Sequence, residues 1–294
     1  MRIAVASGKG GTGKTTIAVS LALSLAGDDT VEPSAPCPPL LVDCDVEAPD
    51  AHLFLHPTLD AMQEAVILCP RVDEGRCTAC GQCAEVCAFN ALAVLGQEVL
   101  VLPELCHGCG SCALICPEEA IAETPRVIGR LEAGTAGALR FARGLLNVGE
   151  PMPVPVIRQL KAWAIPEPGQ LTVVDAPPGT SCPVVEAIRD ADFVLLVTEP
   201  TPFGLHDLEL AVDVVGELGL AAGVVINRDG IGDGEVEAFC RARNLPILLR
   251  IPFDRTLAEG MARGKTLLDV LPEYHDAFRR MAKSILGSAL ASEA

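Results

Sequence analysis

The stretch Ser7 to Thr16, SGKGGTGKTT, constrains this chain more than any other. The apolar run Ile3-Ala4-Val5-Ala6 precedes it, and Ile17-Ala18-Val19-Ser20-Leu21-Ala22 follows it at helical spacing. Strand, glycine-rich loop and helix together are the context in which such a loop holds phosphate. Gly10, Gly11 and Gly13 let the backbone turn tightly, so that successive N–H groups point at phosphate oxygens. The helix N-terminus adds a partial positive charge. Lys14 is placed to reach the β- and γ-phosphates, and the Thr15 hydroxyl to ligate magnesium. The expected contacts run through Gly8, Lys9, Gly10, Gly11, Thr12, Gly13, Lys14, Thr15 and Thr16. A glycine-rich hairpin is the alternative, and the flanking strand and helix patterns argue against it.

Further along, short apolar runs end on polar side chains. Leu40-Leu41-Val42 ends on Asp43-Cys44-Asp45, and Leu171-Thr172-Val173-Val174 ends on Asp175. A carboxylate at the C-terminal edge of a parallel strand faces the ligand crevice. If the chain stays extended, Asp43 and Asp45 share one face; a helix cap before Val46-Glu47 is the other reading. Phe193–Thr198, Gly223–Asn227 and residues 246–250 are three more buried strands. Helices are expected at 154–163, 205–218 and 273–290. The last places Tyr274, Phe278, Met281, Ile285 and Ala289 on one face. Strands alternating with helices predict a doubly wound, mostly parallel α/β sheet.

Between two such strands the character changes. Cys77-x2-Cys80-x2-Cys83-x3-Cys87 is followed by Cys106-x2-Cys109-x2-Cys112-x3-Cys116-Pro117. Every cysteine recurs at an offset of 29 residues, as do Gly81/Gly110, Ala91/Ala120 and Leu92/Ile121. This is an internal duplication in the bacterial ferredoxin pattern, in which each run lends its fourth ligand to the other cluster. One [4Fe-4S] cluster takes Cys77, Cys80, Cys83 and Cys116; the other takes Cys87, Cys106, Cys109 and Cys112. Ala88 stands where the pattern usually has proline. Zinc is the metal alternative, since thiolate pairs at this spacing also bind it. His107, beside Cys106, reads as a surface residue or a hydrogen-bond donor near a cluster. The apolar run Glu64–Cys69 is expected to be one more strand. Residues 126–147 suggest short antiparallel strands bracketing the insertion. The predicted division is an ATPase domain of residues 1–69 and 126–294, with an inserted α+β ferredoxin-like module at 70–125.

Lys9 sharpens the reading. KGGTGKT is a deviant phosphate loop with an extra lysine near its start, and the chain here resembles the MinD/Mrp/dinitrogenase-reductase group of dimerising ATPases. Resemblance implies that Lys9 crosses a dimer interface to the partner's nucleotide. It also implies that Asp45 orients the attacking water, making Lys9, Lys14 and Asp45 the catalytic set. By the same resemblance Asp43 and Asp175 stand near the magnesium water shell with Thr15. Asp175-Ala176-Pro177-Pro178-Gly179-Thr180 resembles the Mrp-type second switch, with Gly179 near the γ-phosphate. Asn227, followed by Arg228, matches the adenine-reading asparagine, whose amide offers donor and acceptor to the base edge. Pro252 and Asp254 belong to a segment resembling the loop that lines the base. Cys182 lies seven residues after Asp175, at the offset of the subunit-bridging cluster ligand of dinitrogenase reductase. It is either a small buried thiol at a helix start or, with Cys69 or Cys44, part of a labile site near the interface.

The cofactors so expected are ATP, Mg2+ and two [4Fe-4S] clusters. Thirteen cysteines without a leader or an apolar run of membrane-spanning length point to a cytoplasmic chain that binds metal rather than forming disulfides. Cys37, in the polar loop 28–39, reads as a bystander. A net charge of −17 argues against nucleic acid as a partner. Residues 77–125 hold six acidic side chains and no lysine or arginine, so a redox or cluster-acceptor partner should be basic at the contact. The final helix has few lysines, which favours packing on the core over a membrane anchor. The resemblance implies a dimer, either homomeric or with a paralogue, and a slow hydrolysis that waits for it. Three functions compete: an ATPase serving iron–sulfur or metal-cluster assembly or delivery; an ATP-gated electron carrier; and a MinD-like positioning protein with structural clusters.

Overall fold

The computed structural model describes residues 1–27, 38–165, 170–232 and 234–292, the last five of these as backbone alone. Cys37 and the Ala289 side chain lie outside what is described. The strands are β1 (Arg2–Ala6), β2 (Leu40–Asp43), β3 (Thr58–Val72), β4 (Leu92–Leu95), β5 (Glu98–Val101), β6 (Ile121–Ala136), β7 (Leu139–Leu146), β8 (Thr172–Asp175), β9 (Phe193–Thr198), β10 (Ala222–Asp229) and β11 (Ile247–Pro252). The helices are α1 (Lys14–Ala26), α2 (His52–Leu55), α3 (Gln82–Val86), α4 (Ser111–Ile115), α5 (Pro153–Ala164), α6 (Cys182–Ile188), α7 (Pro202–Glu217), α8 (Glu235–Ala242), α9 (Arg255–Met261), α10 (Leu267–Val270) and α11 (Tyr274–Ser292).

Among the described residues nine strands form one sheet, in the order β11-β10-β9-β1-β8-β2-β7-β6-β3. Every pairing from β11 to β7 is parallel; β7–β6 and β6–β3 are antiparallel. The parallel strands carry unbroken apolar runs because both faces are covered. Ile3, Val5, Leu41, Val173 and Leu195 enter one core, with α1 and with Phe278, Met281 and Ile285 of α11. Ala4, Ala6, Leu40, Val42, Val174 and Val194 enter the other, with α5, α6 and α7. The last helix therefore spends its apolar stripe on the core. No described helix is long and apolar enough to cross a membrane.

Two expectations need correction. The run Glu64–Cys69 is part of a much longer edge strand, β3, with residues 58–64 exposed. Antiparallel pairing around residues 126–147 is present, but β6 starts at Ile121 and is 16 residues long. The arm β3–β6 thus runs through both sequence boundaries, 69/70 and 125/126. Gly134 lets it close, since a Cβ there would sit 1.9 Å from the Thr58 carbonyl oxygen. Residues 73–120, with α3, α4 and the β4–β5 hairpin, sit at the tip of this arm.

Candidate functional site

The phosphate loop leaves the end of β1, whose neighbours in the sheet are β8 and β9. That is the switch point at which open α/β sheets bind ligands. Gly11 and Gly13 have φ of 77° and 93°, the left-handed region that glycine adopts at no steric cost. Gly13 caps α1, and a Cβ on it would lie 2.4 Å from the Asn227 amide nitrogen. A Cβ on Gly8 would meet the Asp207 carbonyl oxygen at 2.0 Å, so α7 packs directly on the loop. Lys14 is buried at the start of α1, and Thr15 follows it half-buried. The Thr16 hydroxyl lies 3.9 Å from the Met261 sulfur. Gly179 donates its N–H to the Ser7 carbonyl at 3.1 Å, joining the second switch to the phosphate loop.

Asn227 and Arg228 come to the same loop from the end of β10. The Asn227 Nδ2 donates to the Thr12 carbonyl at 2.7 Å, and Arg228 Nη2 to the Gly11 carbonyl at 3.2 Å. Arg228 is itself left-handed, at φ 55°, where β10 loses register with β11. Gly11, Gly13, Asn227, Arg228, Pro252, Phe253, Asp254 and Met261 line a solvent-open cleft with about 680 Å³ of empty space. Among the described residues the Asn227 Oδ1 accepts the Arg228 N–H alone, which leaves one amide proton and one lone pair of the side chain for a further partner. The Asp254 carboxylate caps α9, accepting from the Thr256 N–H and hydroxyl at 2.7 Å each.

Lys9 is not free. Its Nζ lies 2.5 Å from Glu199 Oε1 and 3.9 Å from Asp207. Arg228 Nη1 meets the other Glu199 oxygen at 2.7 Å. Glu199 is only 10 % exposed, and although burial pushes its carboxyl up, Lys9 and Arg228 more than offset this and hold it below its ordinary value. Sequence reasoning missed Glu199, although the signal was there: it follows β9 as Asp43 and Asp175 close β2 and β8.

Those two carboxylates are register partners on adjacent parallel strands. The chain turns after β2, and the Asp45 N–H donates to Asp43 Oδ1 at 3.1 Å. Burial pushes Asp45 up, and Lys14 pulls it back down. Asp43 is fully buried and held well above the usual carboxylate range by that burial, then by Asp175. Asp175 is 1 % exposed, and among the described residues neither of its oxygens has a hydrogen-bond partner of standard geometry. Burial pushes it up to about 7, although the Thr15 hydroxyl and Lys14 both pull its carboxyl down. Asp175, with Asp43 as its register partner, fits a hard cation such as Mg2+, and Thr15 next to Lys14 offers a further oxygen donor. A carboxyl whose pKa is raised on folding stabilises the fold at low pH, and that stability is lost as pH rises from about 4 through about 7. Free of nucleotide and metal, the wild type should therefore show a falling melting temperature over that window. Asp175→Asn, measured by thermal denaturation in EDTA, should flatten the fall; an unchanged slope would mean that Asp175 is ionised throughout.

The eight cysteines of the duplicated runs line two small cavities. One is lined by Cys77, Cys80, Cys83 and Cys116, the other by Cys87, Cys106, Cys109 and Cys112. Each cavity takes three thiols from one run and the fourth from the other. The backbone repeats with the sequence: Ala79 and Gly108, Gly81 and Gly110, and Asn90 and Glu119 are all left-handed. N–H groups of Ala79, Ala91, Gly108 and Ala120 donate to Cys77, Cys87, Cys106 and Cys116 sulfurs at 3.2–3.4 Å. Four thiols around one enclosed space fit an iron–sulfur cluster, and N–H groups on the sulfurs are among the features that set a cluster's potential. His107 is exposed and stacked on Phe89, with ring centroids 3.6 Å apart.

The remaining thiols sit in different surroundings. Cys182 starts α6 as expected but is exposed, not buried. Cys44 is completely enclosed, with its thiol pushed up by burial, and Cys69 is 5 % exposed within the same core.

A phosphate loop at the switch point of a parallel sheet, with opposed carboxylates beside it, defines a P-loop nucleotide-binding protein. A family model, the CobQ/CobB/MinD/ParA nucleotide binding domain, matches residues 3–267, and the chain belongs to that family. It is 30 % identical over 277 residues to the uncharacterized protein MJ0579 of Methanocaldococcus jannaschii, covering 94 % of this chain and 93 % of that one. It also resembles the septum site-determining protein MinD of Pyrococcus horikoshii, solved with Mg-ADP (20 % identity, TM-score 0.55, 97 % of this chain and 95 % of that). The cell division ATPase MinD of Pyrococcus furiosus gives a TM-score of 0.57 at 20 % identity, over 97 % and 98 % of the two chains. At that identity the likeness is one of fold.

Proposed function

We propose that the chain is a dimer-dependent Mg-ATP hydrolase carrying two [4Fe-4S] clusters, in which nucleotide state gates electron transfer through them. The observation that carries this is the pair of cavities, each lined by four cysteines in a three-plus-one arrangement. A cluster so held has a protein ligand on every iron, which makes it poor cargo and a good carrier of single electrons.

In the ATPase half, Lys14 and the loop N–H groups bind phosphates, Asp43 and Asp175 hold magnesium with Thr15, and Asp45 orients water. Lys9 acts on the partner's nucleotide. Its present bond to Glu199 must open first, so Glu199 keeps the lysine in cis until a partner is seated. A lysine supplied in trans makes hydrolysis follow dimerisation, which is the behaviour of a switch. The arm β3–β6 joins the cysteine cavities to β7, which pairs with β2 up to Asp43↔Arg143. That continuity of hydrogen-bonded strands lets the nucleotide pocket and the clusters feel each other's state.

A second reading, cluster assembly or delivery, is favoured by the Mrp-type run Asp175–Thr180 and by the exposed Cys182 beyond it. The positioning reading, with structural clusters, also fits the family. One experiment separates the three. Cluster midpoint potentials are measured with ADP and with a non-hydrolysable ATP analogue, and iron transfer to an apo-ferredoxin acceptor is followed in parallel. A coupling of about 1–3 kcal/mol is about 40–130 mV for one electron. A shift of that size without iron transfer is the expected result. Iron transfer without a shift would favour delivery, and neither would leave positioning.

A further inference from the structure

Gln159, on α5, ties the arm to the ATPase body in a way the phosphate site does not require. Among the described residues β3 is the outer strand of the sheet, so its outward N–H and C=O groups have no neighbouring strand. At Val66, next to a break in register with β6, one side chain takes both groups. The Val66 N–H donates to Gln159 Oε1 at 3.1 Å, and Gln159 Nε2 donates to the Val66 carbonyl at 2.9 Å. The other amide proton goes to the Pro155 carbonyl, one turn back on α5, at 3.1 Å. A glutamine amide carries the donor and acceptor of a peptide group, so Gln159 stands in for one residue of a further strand.

Neighbouring residues of α5 hold α6, the helix that follows the second switch. Arg158 lies about 100° and Lys161 about 200° around the helix from Gln159. Arg158 meets both Glu186 oxygens, at 3.2 and 3.0 Å. Lys161 is buried, donates to the Glu186 and Ala187 carbonyls at 2.7 and 3.0 Å, and meets Asp190 at 3.1 Å. Carbonyls at a helix end lack partners within the helix, and Lys161 supplies them. The helix also lies close on the arm. A Cβ on Gly129 of β6 would stand 3.3 Å from one Val156 methyl, and a Cβ on Gly144 of β7 3.1 Å from the other. With packing this close, a slide of α5 moves the arm.

Just beyond Val66 the same strand touches one cysteine cavity. A Cβ on Gly108 would lie 3.2 Å from the Ile67 Cβ and from the Leu68 carbonyl oxygen, so the loop between Cys106 and Cys109 rests on β3. The Gly108 N–H donates to the Cys106 sulfur at 3.4 Å. Its counterpart 29 positions earlier is Ala79, which carries the Cβ that this approach excludes. Direct contacts therefore run from the phosphate loop through Gly179, α6, α5 and Val66 to the Cys106 sulfur.

We propose that α5 carries the nucleotide signal to the cluster of Cys87, Cys106, Cys109 and Cys112 and not to the other, with Gln159 as the positioning residue through which it reaches β3. This rests on the reading of nucleotide-gated electron transfer and adds to it the route and the cluster addressed. A movement of α6 pulls on Arg158 and Lys161, shifts α5, and through Gln159 displaces Val66 and the Gly108 N–H relative to the Cys106 sulfur. Hydrogen bonds to the sulfurs are among the features that set a cluster's potential. Coupling between distant sites travels through such packed side chains, hydrogen bonds and rigid elements. The strand continuity through β7 and β2 is the competing route, and Gln159 has no part in it.

The test uses full-length, cluster-loaded chains in which each cluster is titrated alone. Cys83→Ser chains keep the cluster of Cys106, and Cys106→Ser chains keep the other. Midpoint potentials are measured with ADP and with a non-hydrolysable ATP analogue. The cluster of Cys106 should shift with nucleotide, and the other should not. Gln159→Leu should lose most of that shift while iron content and affinity for the analogue stay at their starting values. A merely structural role would lower iron content or melting temperature and leave the nucleotide dependence intact. Gln159→Glu keeps the acceptor for the Val66 N–H and loses the donor to its carbonyl, so it should show the same loss even where the leucine variant loses iron. By linkage, reducing that cluster should change analogue affinity by the matching factor in chains with Gln159, and by little in the variants. A full shift in both Gln159 variants would overturn the proposal and leave the gating reading standing. So would a shift confined to the cluster of Cys77. No shift of either cluster in chains with Gln159 would remove the gating reading and this inference with it.

Discussion

Anaerobically purified protein is expected to contain about eight irons and about eight acid-labile sulfides per chain, with no stoichiometric zinc. The structure makes this more specific than a count. Cys116 belongs to the second run but lines the cavity of Cys77, Cys80 and Cys83. Cys83→Ser and Cys116→Ser, from different runs, should therefore damage the same cluster, and their effects should not add. Cys87→Ser should instead damage the cluster of Cys106, Cys109 and Cys112. Each single variant should lose about four irons while the other cluster keeps its EPR signal, and Cys83→Ser with Cys87→Ser should lose both. Should Cys116→Ser combine additively with Cys83→Ser and non-additively with Cys106→Ser, each run would be serving its own cluster and the crossed assignment would fail. Stoichiometric zinc with intact thiolate ligation would remove the electron-carrier reading altogether.

Lys14→Ala should abolish nucleotide binding, whereas Lys9→Ala should bind ATP and hydrolyse it poorly. Lys14 is buried at the head of α1, where its charge adds to that of the helix N-terminus, the combination that favours bound phosphate. Lys9 sits at the surface of a single chain, tied to Glu199. A cation supplied in trans to a phosphoryl-transfer site contributes about 10³–10⁵ in rate, so Lys9→Ala should cost on that order in kcat at little cost in affinity. Mixing Lys9→Ala chains with Asp45→Ala chains should restore activity, because one site in each heterodimer then has its own Asp45 and its partner's Lys9. Demonstrated heterodimers without rescue would place Lys9 in cis. Glu199→Gln provides a second view of the same device. It removes the nearer of the two cis counter-charges on Lys9, leaving Asp207 at 3.9 Å, so nucleotide-free chains should dimerise more readily in sedimentation velocity than wild type.

The phosphate loop and the cysteine runs were legible because their chemistry is local. The loop needs its glycines, Lys14 and Thr15 within a few residues, and a cluster needs three of its thiols within seven. Even the crossed fourth thiol was readable, because the duplication at 29 residues carries the ligand pattern with it. The length of β3 and β6 was not. An antiparallel arm is usually recognised by apolar–polar alternation, and exposed Leu59, Met62 and Leu68 blur that pattern in β3. Nor was the turn after Asp43 readable, since extended and turned backbones both suit Asp43-Cys44-Asp45.

By itself, then, the sequence determined the P-loop α/β class, the switch-point loop, and the four-thiol sets. In each of these the necessary groups are neighbours along the chain, or are copied by an internal repeat. Only the tertiary structure decided what surrounds them. Glu199 reaches Lys9 across 190 residues of sequence because β9 lies beside β1. Asp175 faces Asp43 because β8 and β2 pair in that register, and the Ala51 N–H ties the loop after β2 back onto Asp43. Such contacts arise when strands distant in sequence are laid side by side. Their energetics depend on burial and the proximity of charges, which no spacing along the chain encodes.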